Sequence, residues 1–265
     1  MGERGVRNAE VRGSNPLTST ISIVIPVRND AEALGRTLDH LAGLQGMARA
    51  EVVVGASGDI ERTARVAEGR ARVVWPEGST RARLMNAAAA EARGEILFFL
   101  HADSLPPRDA LSVVETALAD PRVVGGAFEH RFAEGRWSLR VITWINRARY
   151  RLTGNYYGDQ GIFVRADVFR GMGGYPDRAL MEDLVFSQRL KRRGRSVLIP
   201  VPLVTSGRRF LTRGPLRTFS TIVWLLLLHT LRRDTEGYAE RWRGPADRPP
   251  GSPWSGRAAR PEDLN

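Results

Sequence analysis

The sequence predicts an α/β protein built on a Rossmann-like, mostly parallel sheet with helices on both faces, and three observations carry that prediction. Four strand-length runs, Ile21–Val27, Glu51–Val54, Arg72–Trp75 and Ile96–Leu100, alternate with stretches whose apolar residues recur at helical spacing. Crossovers of this length favour parallel, doubly wound strands of the nucleotide-binding type. The fourth run is apolar at every position and ends abruptly in His101-Ala102-Asp103. Such a run reads as a strand buried on both faces, with its carboxylate just past the end where open α/β sheets bind ligands.

The elements follow in order. Arg28-Asn29-Asp30 ends the first strand, and Asp30 is placed to cap a helix from Ala31 to about Ala42, whose Ala33, Leu34, Leu38 and Leu41 share a face. Gly55-Ala56-Ser57-Gly58-Asp59 follows the second strand, then a short helix runs to about Glu68. Ser79 is placed to cap an alanine-rich helix, Thr80 to Arg93, and a further helix is expected over Pro107–Ala119. After Pro121 the rhythm changes. Val123–Arg131 reads as a strand, Trp137–Leu152 as a helix, and Gly154–Gly161 as a glycine-rich loop entering the strand Ile162–Arg165. Gly171–Pro176 is a turn, Leu180-Met181-Glu182-Asp183 opens a helix ending by Gly194, and Val197–Val204 completes the sheet.

Composition sets limits on function. The 265 residues are 42% apolar, enough for a real core, and contain no cysteine. Disulfides, thiolate nucleophiles and cysteine-based zinc sites are therefore excluded, and a reducing cytoplasm is the default compartment. The net charge is +11, with one lysine, Lys191, among 40 basic residues. Arg189–Arg217 holds nine basic side chains and no acid, while Arg131–Arg151 sets six arginines against Glu134 alone. Faces of this kind suit nucleotides, phosphorylated acceptors or anionic lipid, or are simply solvated. The basic runs lack an ordered aromatic stacking pattern, so no nucleic-acid partner is expected. No Walker phosphate loop, serine nucleophile elbow or histidine-rich zinc spacing is present.

The expected organisation is a polar N-terminal segment over 1–19 without a secretory apolar stretch, a catalytic domain over 20–212, a helical extension over 213–243 and a disordered tail over 244–265. Within the extension, Leu216–Leu231 is densely apolar and flanked by Arg208, Arg209, Arg213, Arg217, Arg232 and Arg233. It is shorter than the roughly twenty residues that span a bilayer. Two readings stand level: a helix at a membrane interface, giving peripheral contact through 208–233, and a core or dimer helix.

Three acidic positions stand out: Asp103, Asp159 in the glycine loop, and the pair Glu182-Asp183. Each has a bland alternative as a turn or helix cap. Their combination with the surrounding blocks resembles glycosyltransferase family 2 and its GT-A fold, over roughly Ile21 to Phe210. The blocks are Ile21–Asn29, Arg81–Asn86, Gly94–Asp103, Gly158–Arg165 and Met181–Leu190, in that order. The Gly-Asp-Gln-Gly and Leu-Met-Glu-Asp blocks are also similar to a bacterial subgroup described as radical-SAM/selenodomain-associated transferases.

The resemblance implies roles. Pro26, Arg28 and Asn29 would line the base and ribose pocket, and Arg81, Arg83 and Asn86 would meet the nucleotide. Ala102 and Asp103 would lie at the donor, with Asp103 holding Mg2+ or Mn2+. Asp183 would be the catalytic base, assisted by Glu182, and Tyr157, Gly158, Asp159 and Gln160 would face acceptor or sugar. A metal held by carboxylate oxygen offsets charge on the departing diphosphate, while a carboxylate in reach of the acceptor hydroxyl removes its proton. The reaction implied is an inverting transfer from a uridine-linked nucleotide sugar to an unidentified hydroxyl acceptor. It would run in the cytoplasm or at the inner face of the cell membrane. Nucleotidyl transfer and a non-catalytic, membrane-docking scaffold are the alternatives. Departures from the family pattern are Gly55 where an acid reads the base, His101 in the first acidic position of the metal motif, and Thr205-Ser206 where a closing histidine is expected.

Overall fold

A computed structural model describes residues 20–231, 233 and 235–239; the expectations for 1–19, Arg232 and 244–265 fall outside them. In chain order the elements are β1 (Ile21–Arg28), α1 (Ala31–Ala42), β2 (Ala50–Ser57), α2 (Ile60–Ala67), β3 (Arg72–Val74), α3 (Arg81–Glu91), β4 (Ile96–Phe99) and β5 (Ser104–Leu105). Then follow α4 (Ala110–Ala117), β6 (Val123–Phe132), α5 (Trp137–Thr153), β7 (Ile162–Arg165), α6 (Ala166–Gly171), α7 (Glu182–Leu190), β8 (Arg195–Thr205), α8 (Arg208–Arg213) and α9 (Pro215–Thr230).

All the described strands join one sheet in the order β3-β2-β1-β4-β7-β6-β8-β5. β1, β2, β3 and β4 are mutually parallel, as is β6 with β8, whereas β7 runs antiparallel to both β4 and β6. The uninterrupted apolar runs are explained by burial on both faces. On β1 and β4, Ile23, Ile25, Phe98 and Leu100 pack with Leu34, Leu38 and Leu41 of α1 and Leu111 and Val114 of α4. Their alternates Val24, Leu97 and Phe99 pack with Met85, Ala88 and Ala89 of α3, Phe169 of α6 and Phe186 of α7. A side-chain period of two thus feeds two cores.

At the N-terminal ends of the strands Glu51 ties three segments together. Its carboxylate accepts from Ser22 Oγ at 2.7 Å and from the Arg93 N–H at 2.6 Å, while Gly94 N–H donates to Ser22 Oγ at 2.8 Å.

Two expected caps are corrected. Thr80, not Ser79, caps α3, its hydroxyl accepting from Arg83 N–H at 3.3 Å. Asp30 occupies the N-cap position of α1 but makes no side-chain cap; its carboxylate pairs with Arg208 at 2.6 Å instead. The helix expected from Pro107 starts at Ala110, because Ser104-Leu105 first pairs with Val204-Thr205 as β5.

The apolar helix α9 is buried on one side and exposed on the other. Thr218 and Leu225 are buried, Leu225 packing with Leu180 and Ala239, while Leu216, Val223, Trp224, Leu227 and Leu231 are exposed. No described helix is long and apolar enough to cross a membrane.

Candidate active site

The topology brings the C-terminal ends of β1, β2, β4, β6 and β8 to one edge of the sheet. Because β7 runs the other way, the loop before it reaches that same edge. The segment opening α7 joins them, and Arg81 links the pieces.

Arg81, the first residue of α3, donates through Nε to Glu182, through Nη2 to Asp183 Oδ2 at 3.2 Å, and through Nη1 to His101 Nε2 at 2.7 Å. A guanidinium only donates, so His101 Nε2 accepts and the ring proton sits on Nδ1. Burial first, and then the charge of Arg81, hold the His101 pKa well below the usual histidine range. A neutral imidazole that orients Arg81 therefore stands where the family pattern has an acid. Burial would lower the Arg81 pKa, but the carboxylates of Glu182 and Asp183 more than offset it and raise it. Glu182 is 2% exposed. Burial pushes its carboxyl up, against the pull of Arg81.

Asp183 collects three N–H donors: Arg81, the Gly158 backbone at 2.7 Å and its neighbour Leu184 at 2.7 Å. Gly158 is required by close approach. A Cβ there would lie 2.5 Å from His101 Nε2 and 3.1 Å from Arg81 Nη1. Tyr175, stacked on Phe186 with centroids 4.2 Å apart, helps line the narrow cavity around Arg81, His101 and Asp183. Two described non-glycine residues have positive φ, Asn29 at 51° and Met181 at 61°, and Met181 directly precedes Glu182-Asp183. Backbone strain of this kind persists where the surroundings over-determine it, commonly at working sites.

The Asp103 end is built differently. Asp103 is half-buried in the turn between β4 and β5, and burial raises its pKa, with Asp30 adding to the shift and Arg208 and Arg209 opposing it. No group of three or more acidic or histidine side chains suited to a metal occurs among the described residues. The donor set fits a divalent cation nevertheless. Asp103 is a hard oxygen donor, the charge of Asp30 acts on it, and Mg2+ or Mn2+ commonly completes its shell with phosphate oxygens and water. Asp103 would hold the ion, and Asp30, whose charge acts on Asp103, is itself paired with Arg208. Ala102 O accepts from Thr37 Oγ1 at 2.6 Å, which fixes the turn to α1.

The missing acid at Gly55 has a steric cause. A Cβ on Gly55 would lie 2.0 Å from the Leu84 carbonyl oxygen, so α3 crosses too closely for any side chain. Asp59 instead caps α2, accepting from Arg62 N–H at 3.1 Å, and its own N–H donates to Asn29 Oδ1 at 2.9 Å. Pro26 is buried in β1 opposite Gly55, and Arg28 ends that strand half-buried.

The remaining expected residues separate into two groups. Arg83 grips Asp177 at 2.7 and 2.9 Å, and the Asn86 amide exchanges two bonds with the Tyr175 backbone at 2.8 and 2.9 Å. These two fix the 174–177 turn beside the site. Gln160 is buried as a clamp between Tyr157 N–H and the Phe128 carbonyl. Tyr157 lies under the Arg149 guanidinium, 4.1 Å from ring centroid to Cζ.

Asp159 approaches a residue that sequence reading passed over. His130 Nε2 lies 3.6 Å from Asp159 Oδ2 and 2.7 Å from Thr205 Oγ1. His130 Nδ1 and Asp159 Oδ1 are buried and have no hydrogen-bond partner among the described residues. The available signal was a histidine near the C-terminal end of an apolar strand, the same signal that drew attention to His101.

Solved structures share this fold. One is the mannosyltransferase PcManGT from Pyrobaculum calidifontis, in complex with GDP-Man and Mn2+; identity is 21% and TM-score 0.56, over 71% of this chain and 57% of that one. Others are S. aureus TarS 1-349 with UDP (15%, TM-score 0.58, 71% of this chain and 60% of that) and with UDP-GlcNAc (14%, 0.57, 71% and 58%). The chain thus spans less than two thirds of the length of these relatives. Comparison with curated proteins gave no match. The model for glycosyl transferase family 2 matches residues 22–178, more than half of the chain, and on that match the chain belongs to this family, with the GT-A fold that these solved structures share.

Proposed function

We propose that the chain transfers a sugar, with inversion, from a nucleoside-diphosphate sugar, uridine-linked, to a hydroxyl acceptor. The observation that carries this reading is Asp183, nearly buried at the N-terminus of α7 with three N–H donors fixing its oxygens at the ligand-binding edge of the sheet. The acceptor hydroxyl gives its proton to Asp183 as its oxygen attacks the anomeric carbon. The bond from that carbon to the diphosphate oxygen breaks, and the nucleoside diphosphate leaves on the opposite face. Arg81 holds Asp183 in place and carries positive charge next to the departing group, while neutral His101 keeps the guanidinium from turning away. Asp103 would hold Mg2+ or Mn2+, which would supply compensating charge for the diphosphate.

Asp159 and His130, with one unpaired buried atom each, meet hydroxyls of the sugar or acceptor. Nucleotide sugars in the relatives named above support the donor class, UDP and UDP-GlcNAc in TarS favouring uridine. The domain limits expected from sequence and a cytoplasmic location at the inner membrane face form part of the same proposal.

The test is turnover of a nucleotide-sugar panel with Mn2+ or Mg2+, in the parent chain and in Asp183→Asn and Asp103→Ala. Turnover lost in both variants is expected. Full transfer by Asp183→Asn would sink the assignment of the base, and pyrophosphate formation from a nucleoside triphosphate and a sugar phosphate would favour nucleotidyl transfer.

A further inference from the structure

We propose that the outer faces of α5 and α9 form one surface that docks on an anionic lipid bilayer. The sequence drew attention only to α9; the structure adds α5 and places the two helices together. Leu139 and Ile142 on the inner face of α5 pack with Phe132 and with Phe210, Leu211 and Phe219, so the inner sides of both helices are consumed by contact with each other and the sheet.

Their outer sides are apolar as well. On α5 the exposed Trp137, Val141, Trp144 and Leu152 recur at i, i+4, i+7 and i+15. On α9 the exposed Leu216, Val223, Trp224, Leu227 and Leu231 recur at i, i+7, i+8, i+11 and i+15. Each set is a single stripe along its helix. The side chains are not marginal cases: Trp137 is 78% exposed, Trp144 70% and Leu216 83%. An apolar stripe of this size on a water-facing helix signals a contact surface.

Charge selects the occupant. From Arg136 to Thr153, and again from Gly207 to Arg233 as the sequence runs, there is no aspartate or glutamate. Exposed Arg140 and Arg217 border the two stripes. A second copy of the chain would bring arginine against arginine across the contact, a cost in any dry interface. Anionic headgroups meet the same arginines favourably while tryptophan and leucine enter the acyl boundary. Neither helix is a membrane span, as an interfacial mode requires. Phe132, in the core beneath the two helices, packs edge-on against His130 with centroids 4.5 Å apart.

The experiment is co-sedimentation of the full chain with phosphatidylcholine vesicles, with and without phosphatidylglycerol, alongside tryptophan emission and sedimentation equilibrium without lipid. Binding confined to the anionic vesicles, weakened by salt and accompanied by a blue shift, is expected. Trp137→Ser/Trp144→Ser/Trp224→Ser lowers partitioning by roughly tenfold or more. Arg140→Glu/Arg217→Glu does so independently, by roughly tenfold, and being confined to exposed side chains it keeps the test valid if the tryptophan variant misfolds. Donor turnover and the circular dichroism spectrum stay unchanged in both. Absent vesicle binding, equal binding to neutral vesicles, binding indifferent to both variants, or a lipid-free dimer abolished by the tryptophan substitutions would each overturn the proposal.

Discussion

Asp183 and Asp103 both lie at the ligand-binding edge of the sheet, yet the chain holds them in opposite ways. Asp183 is gripped by two backbone N–H groups and a guanidinium. Asp103 sits among charges that pull in different directions, Asp30 on one side and Arg208 and Arg209 on the other. On the roles proposed for them, the difference is a division of labour. A base must be in place before the acceptor arrives, so its position is built from protein groups. A metal ligand is completed by what binds, so its surroundings are left to be filled by diphosphate, cation and water.

The sharpest break in this contrast is Asp183→Asn. The amide keeps the shape but cannot take a proton; its oxygen can accept from Arg81 and Gly158 while its NH2 loses the bond from Leu184 N–H. We expect kcat to fall by roughly 10²–10⁴-fold, with stability lowered only by about the 1–2 kcal/mol of one lost hydrogen bond. Asp103→Ala should separate binding from fold. Mn2+ titrated calorimetrically in the presence of a nucleoside diphosphate should bind on the order of 10–100-fold more weakly, while the apo protein melts normally. Unchanged Mn2+ affinity would remove Asp103 from the metal site.

Arg81→Met probes the link between the two ends. It leaves Glu182 buried without its cation, costing about 2–3 kcal/mol, below the full figure for a buried pair because Arg81 itself is partly exposed. The sign of the pH dependence follows from Glu182. Burial already raises its folded pKa, and losing Arg81 raises it further. The folded state then holds a proton that the unfolded chain has released, so the variant loses stability as pH rises past the unfolded value of about 4.3. Urea midpoints should converge with the parent in acid and diverge toward neutrality.

How far the sequence could be read depends on range. Strand-length runs placed β1, β2, β3, β4, β6, β7 and β8, and on β1 and β4 burial on both faces leaves a continuous apolar signature. β5 and α6 were missed, being two and six residues long, too short for periodicity to register. The acidic positions were legible through ordered local blocks. Their partners were not. Arg81 meets Glu182 across 101 residues and His101 across 20, so the neutral acceptor role of His101 exists only in three dimensions. Gly55 likewise read as a lost recognition acid, whereas the backbone of α3 at Leu84 leaves no room for one.

Glu51 supplies the mildest test and the control for the whole contrast. Like Asp183 it is a carboxylate with several donors: Ser22 Oγ, the Arg93 N–H and, at 3.5 Å, Arg72. Unlike Asp183 it stands at the N-terminal ends of β1 and β2, away from the ligand edge. Burial acts to raise its pKa, but the Ser22 and Arg93 hydrogen bonds and Arg72 together lower it. Its stabilisation is therefore present above the unfolded pKa of about 4.3 and fades as pH falls through the depressed folded value. Glu51→Gln should cost about 1–2 kcal/mol at neutral pH, with the gap to the parent closing in acid. Its kcat should match the parent. Loss of turnover without loss of stability in this variant would break the distinction, because donors around a carboxylate occur at both ends of the sheet, and the role proposed for Asp183 rests on its place at the C-terminal strand ends.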